Sequence, residues 1–206
     1  MNVYKCTMIP SYKRLSTMTS SHSGTLHMFI GPMYSGKTSK LHELYKQFEF
    51  CGIPTKVINY AEDIRYTDKP ELATHDKVMI PCVMANSMSE ISLSPVEDST
   101  QVYLINEGQF FPDIIEWTKK AISRPFNKKV YICGLDGDFE RNPFGDWLSL
   151  IAYSDSVTKL RSICCDCRKA DAIFSYRLTS EKEQKVIGSS AYIPLCRYCY
   201  EERINL

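Results

Sequence analysis

Eight consecutive residues, Gly31-Pro32-Met33-Tyr34-Ser35-Gly36-Lys37-Thr38, leave this chain few ways to fold. Two glycines with four residues between them, followed by Lys and Thr, match a phosphate-binding pattern. Thr25 to Ile30 precedes them as a short, mostly apolar strand, and Lys37 to Phe50 follows with Leu41, Leu44, Tyr45 and Phe48 at helical spacing. Strand, turn and helix in that order converge backbone N–H groups on an anion, and the helix N-terminus adds positive potential. In this arrangement Gly31 and Gly36 permit close backbone approach, with Pro32, Met33, Tyr34 and Ser35 completing the cradle. Lys37 reaches the β/γ-phosphates and the Thr38 hydroxyl ligates Mg²⁺. The pattern predicts a nucleoside triphosphate site.

The remainder of the chain is long enough for one ordinary domain and a small appendage: 206 residues, 44% hydrophobic. A net charge of +1 lacks the basic footprint expected of a nucleic-acid binder. No apolar run approaches the roughly 20 residues of a membrane span. Residues 1–24 are Ser/Thr-rich, basic and free of acid, and read as a flexible tail in preference to an organelle transit peptide.

Along the chain, strands are predicted at Ile53–Tyr60, Val78–Met84, Gln101–Ile105, Lys129–Cys133 and Ser156–Ile163, and further helices at Pro112–Ser123 and Pro143–Tyr153. Ala61 to Lys77 reads as a polar loop and Ser87 to Asp98 as an irregular link. Strands alternating with helices imply an α/β fold, a P-loop NTPase-like parallel sheet with helices on both faces, over residues 25–163.

A second unit, residues 164–206, begins with Cys164-x-x-Cys167 and ends with Cys196-x-x-Cys199, the pairs separated by 28 residues. Four thiolates so spaced make a closed, structural Zn²⁺ site, with Ala172–Leu178 and Lys185–Ile187 as its strands. Clustered cysteines in a chain without a secretory signal favour metal over disulfides and an intracellular setting. Cys165 is a bystander inside the first pair, and Cys6, Cys51, Cys82 and Cys133 read as small apolar residues.

The strand ending at Ile105 leads into Asn106-Glu107, where an acid at a strand tip faces the metal or the nucleophile. Glu107 is therefore the candidate general base, its bland alternative being a solvated carboxylate. Phe110, Phe111, Phe139 and Phe144 read equally as core or as a wall for a planar base.

The strings GPMYSGKT, YAEDIRY, THDK, NEGQFFPDI, GLDGDFERNPFG, VTKLRSICCDC, RLTSEKEQKVIG and CRYCY occur in order from about residue 25 to 200. Together they resemble the type II thymidine kinase family of cellular organisms and large DNA viruses. The resemblance implies a cytoplasmic homotetramer in which an ATP-binding domain carries a zinc-stapled lasso. It further implies transfer of the ATP γ-phosphate to the thymidine 5′-hydroxyl, with thymidine triphosphate as feedback inhibitor. It makes Glu107 the base, Arg65 a phosphate contact, and Phe110, Leu135, Phe139 and Phe144 walls around thymine. Ser175, Val186, Gly188 and Tyr192 fall where the lasso touches base and sugar. Three features depart from the family pattern. Asn106 replaces a metal-facing Asp, Gln184 replaces an apolar residue at the base, and the 188–195 loop is one residue shorter, with Ile193-Pro194 in it. The first bears on Mg²⁺ handling, the others on acceptance of deoxyuridine or deoxycytidine. The rival readings are a nucleotide binder with little turnover and a zinc-ribbon interaction module fused to an ATPase.

Overall fold

In a computed structural model of the chain, residues 23–62, 71–73, 79–94, 96, 98–185 and 191–205 are described. β1 (Thr25–Ile30) runs through the glycine-rich loop into α1 (Lys37–Phe50), and β2 (Thr55–Tyr60) follows. β3 (Glu71–Ala73) and β4 (Met79–Pro81) form a small antiparallel pair ahead of β5 (Val83–Ala85). Next come β6 (Val102–Ile105), α2 (Ile114–Ile122), β7 (Lys129–Gly134), a 3-10 segment at Trp147–Tyr153 and β8 (Ser156–Lys159). Six strands make one sheet in the order β5-β2-β6-β7-β1-β8, with every neighbouring pair parallel. The chain leaves β1 toward β2 on one side and passes from β7 across β1 to β8 on the other. Ligands of such sheets bind beyond the carboxyl ends of the strands at this reversal of order.

Strand alternation divides the core between the two faces. On β6, Tyr103 and Ile105 join Leu26, Met28, Ile132, Trp117 of α2 and Trp147 on one face, while Val102 and Leu104 join Phe29, Val57 and Leu41 of α1 on the other. The helical stripe of α1 packs as its spacing predicts, with Leu41 buried and Leu44, Tyr45 and Phe48 partly so. Burying one such side chain fully is worth about 1.5–3 kcal/mol.

Several boundaries differ from the sequence reading. The helix expected over Pro143–Tyr153 is a 3-10 segment starting at Trp147. The preceding residues are instead a loop gathered by the Asp138 carboxylate, which accepts from the Glu140 and Asn142 N–H groups, and Gly145 (φ +64) prevents an earlier helix start. The strand expected over Val78–Met84 breaks at Cys82 into β4 and β5, because β4 pairs with β3 outside the sheet. That β3 lies in the stretch read as loop; Leu72 and Ile80 face each other across the pair, both buried against α1's side of the core.

The expected strand Ser156–Ile163 is also interrupted. Leu160 bonds Ile30 through its N–H, and the chain then leaves the sheet as β9 (Ser162–Ile163), paired with β10 (Asp171–Ala172). β11 (Phe174–Arg177) takes as its partner β12 (Tyr192–Leu195), not the predicted Lys185–Ile187; Lys185 is outside any strand, and residues 186–187 lie outside the described residues. α3 (Arg197–Ile204) closes the chain. Cys164, Cys196, Cys199, Leu195 and Tyr200 form a separate small core here, with Phe174 and Tyr176 against it. Among the described residues no helix is long and apolar enough to cross a membrane.

Candidate active site

The glycine-rich loop follows the end of β1. A Cβ on Gly31 would lie 2.4 Å from the Leu160 carbonyl oxygen, so only glycine lets the loop pass there. Gly36 (φ +82) starts α1 in the left-handed region, without a side-chain cap and with no acid in the first turn. The positive end of a 14-residue helix thus faces the loop with no carboxylate in its own first turn. Lys37 is buried and bends over the loop, donating to the carbonyls of Gly31 (3.0 Å) and Pro32 (2.6 Å). The Ser35 hydroxyl also donates to Pro32 (2.8 Å). Beneath the loop the Cys133 thiol donates to the Lys37 carbonyl, and burial holds that thiol protonated, as expected of a small apolar residue.

The tip of β6 is brought to this loop. Thr38 Oγ1 donates to Asn106 Oδ1 at 3.5 Å, and Asn106 Nδ2 donates to Asn59 Oδ1 of β2 at 3.0 Å. Both amides are buried, and their mutual bond orients the Asn106 carbonyl oxygen toward Thr38. Glu107, in the left-handed region (φ +55), accepts from Gln109 Nε2 at 2.6 Å. Gln109 in turn accepts from the Leu135 N–H at 3.0 Å, joining the carboxylate to the end of β7. Space for that side chain depends on Gly134, where a Cβ would fall 2.6 Å from Gln109 Oε1.

An aromatic wall stands next to Glu107. Phe110 packs on Tyr60 and Phe144, with ring centroids 5.3 and 5.4 Å away. Leu135 is held at both backbone ends, by Gln109 and by Trp147 Nε1 (3.0 Å). Phe139 lies under the Arg177 guanidinium at 3.7 Å. Lys185 caps the wall from the cysteine unit, 4.3 Å over the Tyr60 ring and 5.1 Å over Phe110, paired with Glu62 at 2.5 Å. Gln184 Nε2 donates to Asp138 Oδ2 at 2.8 Å and to the Pro143 carbonyl at 3.5 Å.

The cysteine unit also reaches the glycine-rich loop. Ser175 Oγ accepts the Met33 N–H at 2.9 Å, across 142 residues of sequence. Tyr192 is buried on β12 as the cross-strand partner of Arg177. Behind β11, the Sγ atoms of Cys164, Cys167, Cys196 and Cys199 lie within 4.8 Å of one another. Zn–S bonds of about 2.3 Å in a tetrahedron set sulfurs about 3.8 Å apart, so four thiolates here fit one zinc ion. Burial opposes ionisation of Cys164, yet N–H groups of Cys196, Cys167 and Asp166 outweigh it and bring the thiol down to about 6. Burial and the neighbouring cysteines push Cys199 up to about 12.

The structure therefore gathers Gly31 to Thr38, Asn106, Glu107, Phe110, Leu135, Phe144 and Ser175 around the carboxyl ends of β1, β6 and β7, while Phe139 and Tyr192 meet at Arg177. Arg65, Val186 and Gly188 lie outside the described residues. Sequence reasoning passed over Asn59, Gln109, Asp138 and Arg177, buried polar residues that each have a partner remote in sequence: Asn106, Leu135, Gln184 and Tyr192. Gln109, Asp138 and Arg177 also bond within a few residues of themselves.

Comparison with known proteins gives one answer. The family described as thymidine kinase matches residues 24–200. The thymidine kinase of Yaba monkey tumor virus is 38% identical over 182 residues, covering 88% of this chain and 97% of the relative. That of Myxoma virus (strain Uriarra) is 36% identical over 180 residues, 87% of this chain and 97% of the relative. The human cytosolic thymidine kinase is 34% identical over 187 residues, 90% of this chain and 77% of the relative. A glycine-rich loop before α1, an acid at the tip of β6, a four-cysteine cluster and these matches lead to one conclusion: the chain belongs to the thymidine kinase family.

Proposed function

We propose that this chain transfers the γ-phosphate of ATP to the 5′-hydroxyl of thymidine, giving thymidine monophosphate for nucleotide salvage. The observation that carries this reading is the meeting of Thr38 with the Asn106-Glu107 strand tip, directly beside the aromatic wall of Phe110 and Phe144. Residues Gly31 to Thr38 hold the triphosphate on backbone N–H groups and the α1 terminus. Lys37 exchanges its bonds to the Gly31 and Pro32 carbonyls for the β/γ-oxygens. Thymine lies against Phe110, Leu135, Phe139 and Phe144, with Ser175, Tyr192 and the backbone at Val186 and Gly188 from the lasso. Glu107, aimed by Gln109, accepts the 5′-hydroxyl proton as that oxygen attacks phosphorus, and ADP leaves. Arg65 contacts the phosphate in transfer.

Thr38 Oγ1 and Asn106 Oδ1 are hard oxygen donors of the kind Mg²⁺ takes, though neither is charged. Mg²⁺, when bound, neutralises charge on the β/γ-oxygens. Zn²⁺ on the four cysteines is structural. Residues 25–163 act as the nucleotide-binding domain and 164–206 as the lasso domain, with 1–24 as a tail, in a cytoplasmic homotetramer inhibited by thymidine triphosphate. A second reading, a nucleotide binder with little turnover, draws on the neutral Asn106. One assay separates the two: radiolabelled thymidine with MgATP, followed to the monophosphate. Sustained multiple turnover is expected, and binding without product would favour the second reading.

A further inference from the structure

One buried cation has no part in the chemistry above. On β11, Phe174 and Tyr176 turn toward Tyr200 and the cysteine core, with ring centroids 5.2 and 5.6 Å away. Ser175 and Arg177 alternate with them and face the opposite way. Both are buried, Arg177 to 5% exposure. Arg177 Nη1 donates to the carbonyls of Glu181 (2.8 Å) and Glu183 (2.7 Å). Nη2 donates to the Gln184 carbonyl (3.1 Å) and the Tyr192 hydroxyl (2.6 Å), and Nε to the same hydroxyl (3.1 Å). Its guanidinium carbon stands 3.7 Å from the Phe139 ring centroid. All five N–H donors of the fork thus have an acceptor, and none of these acceptors is a carboxylate. A desolvated cation is costly to keep unless it is saturated in this way. The acceptors come from one loop and from the cross-strand partner of Arg177, so the guanidinium fixes that loop's path.

We infer that Arg177 is a positioning residue for the nucleoside pocket. It fastens residues 181–184 and the Tyr192 ring to Phe139. That fastening sets Gln184 on Asp138 and Lys185 over Tyr60 and Phe110, so the cysteine unit meets the aromatic wall at a defined distance. The inference rests on the thymidine kinase reading. Lysine cannot replace this residue, because three donors on a single nitrogen do not span three carbonyls and a phenol oxygen.

The test uses full-length Arg177→Lys and Arg177→Met. Four quantities are measured: steady-state kinetics for thymidine and ATP, zinc content, and amide exchange at 181–185 and at 192–195. The thymidine KM should rise roughly tenfold to a hundredfold, the range to which one or two lost hydrogen bonds to a charged group convert. The kcat and the ATP KM should stay near the parent's. Zinc content should hold, and exchange should quicken at 181–185 but not at 192–195. An unchanged thymidine KM in a zinc-loaded variant overturns the assignment. So does loss of zinc from both variants, which would make Arg177 part of the cysteine unit's own fold. If the parent itself does not phosphorylate thymidine, the functional reading fails instead, and the exchange data still decide whether Arg177 orders 181–185.

Discussion

A carboxylate acting as a base must keep both its charge and its aim, and Glu107, the proposed base, is oriented by a side chain only two residues away. Gln109 cannot flip its amide without losing the Leu135 N–H, so its NH₂ group always faces Glu107. Glu107→Gln keeps size but removes the proton acceptor, and turnover should fall by ~10²–10⁴-fold with ATP affinity nearly unchanged. Rapid-quench turnover and ATP titration together check this, and a variant as fast as the parent would move the base elsewhere. Asn106 poses a different problem. Its amide oxygen offers Mg²⁺ a dipole but no charge. Asn106→Asp should lower the Mg²⁺ concentration for half-maximal rate and leave the thymidine KM where it was. Asn59 accommodates the change by turning its own amide to donate. If Mg²⁺ demand is the same in both proteins, residue 106 is not at the metal.

At the level of elements, β11 is a two-faced connector. One face packs on the cysteine core while the other sends Ser175 to Met33 and Arg177 to Phe139. Cys196, which carries one of the four thiols, is also the N-cap of α3, its sulfur accepting the Cys199 N–H. Zinc binding to small thiolate sites is worth about 10–16 kcal/mol, and an ion on these four cysteines would supply that as folding energy for β11, β12 and α3. Cys196→Ser should therefore lose zinc and nucleoside binding. ATP binding should persist, weakened only by the single Met33–Ser175 hydrogen bond, about 0.5–1.5 kcal/mol. Calorimetry with each ligand, and zinc analysis of the same preparation, reads the three effects separately. Full nucleoside affinity in zinc-free protein would contradict this account.

Across the whole molecule, polar side-chain bonds tie neighbouring strands of the sheet together. Lys56 on β2 and Thr100 both bond Asp98, which leads into β6. Burial alone would raise that carboxyl, but the bonds from Lys56 and Thr100 outweigh it and hold Asp98 down to about 2. A folded value below the unfolded one means its stabilisation is complete above about pH 4 and is lost as pH falls through about 2. The depression corresponds to about 2 kcal/mol at neutral pH. Asp98→Asn should cost about that much in urea unfolding at pH 7. The gap between parent and variant should close as the pH falls from about 4 to about 2. A gap that persists unchanged at low pH would assign the loss to packing.

Local codes were legible in the chain because their physics is local. The spacing of Gly31, Gly36, Lys37 and Thr38, the helical stripe of α1, the apolar run ending at Asn106-Glu107 and the two Cys-x-x-Cys pairs each act within a few residues of themselves. They were enough for a parallel α/β sheet, a glycine-rich loop ahead of a helix, an acid at a strand tip and a four-thiol cluster. The boundary misses came from turn chemistry that outweighs apolar period, as at Asp138 and Gly145, and from strand pairing that no periodicity specifies, as where β11 takes β12 as its partner. The order of strands and the contacts Ser175–Met33, Arg177–Tyr192, Gln184–Asp138 and Lys185–Glu62 have no signature in either partner alone. Each is a buried or half-buried polar group whose acceptor arrives from elsewhere in the chain, so its meaning exists only once packing has brought the two together.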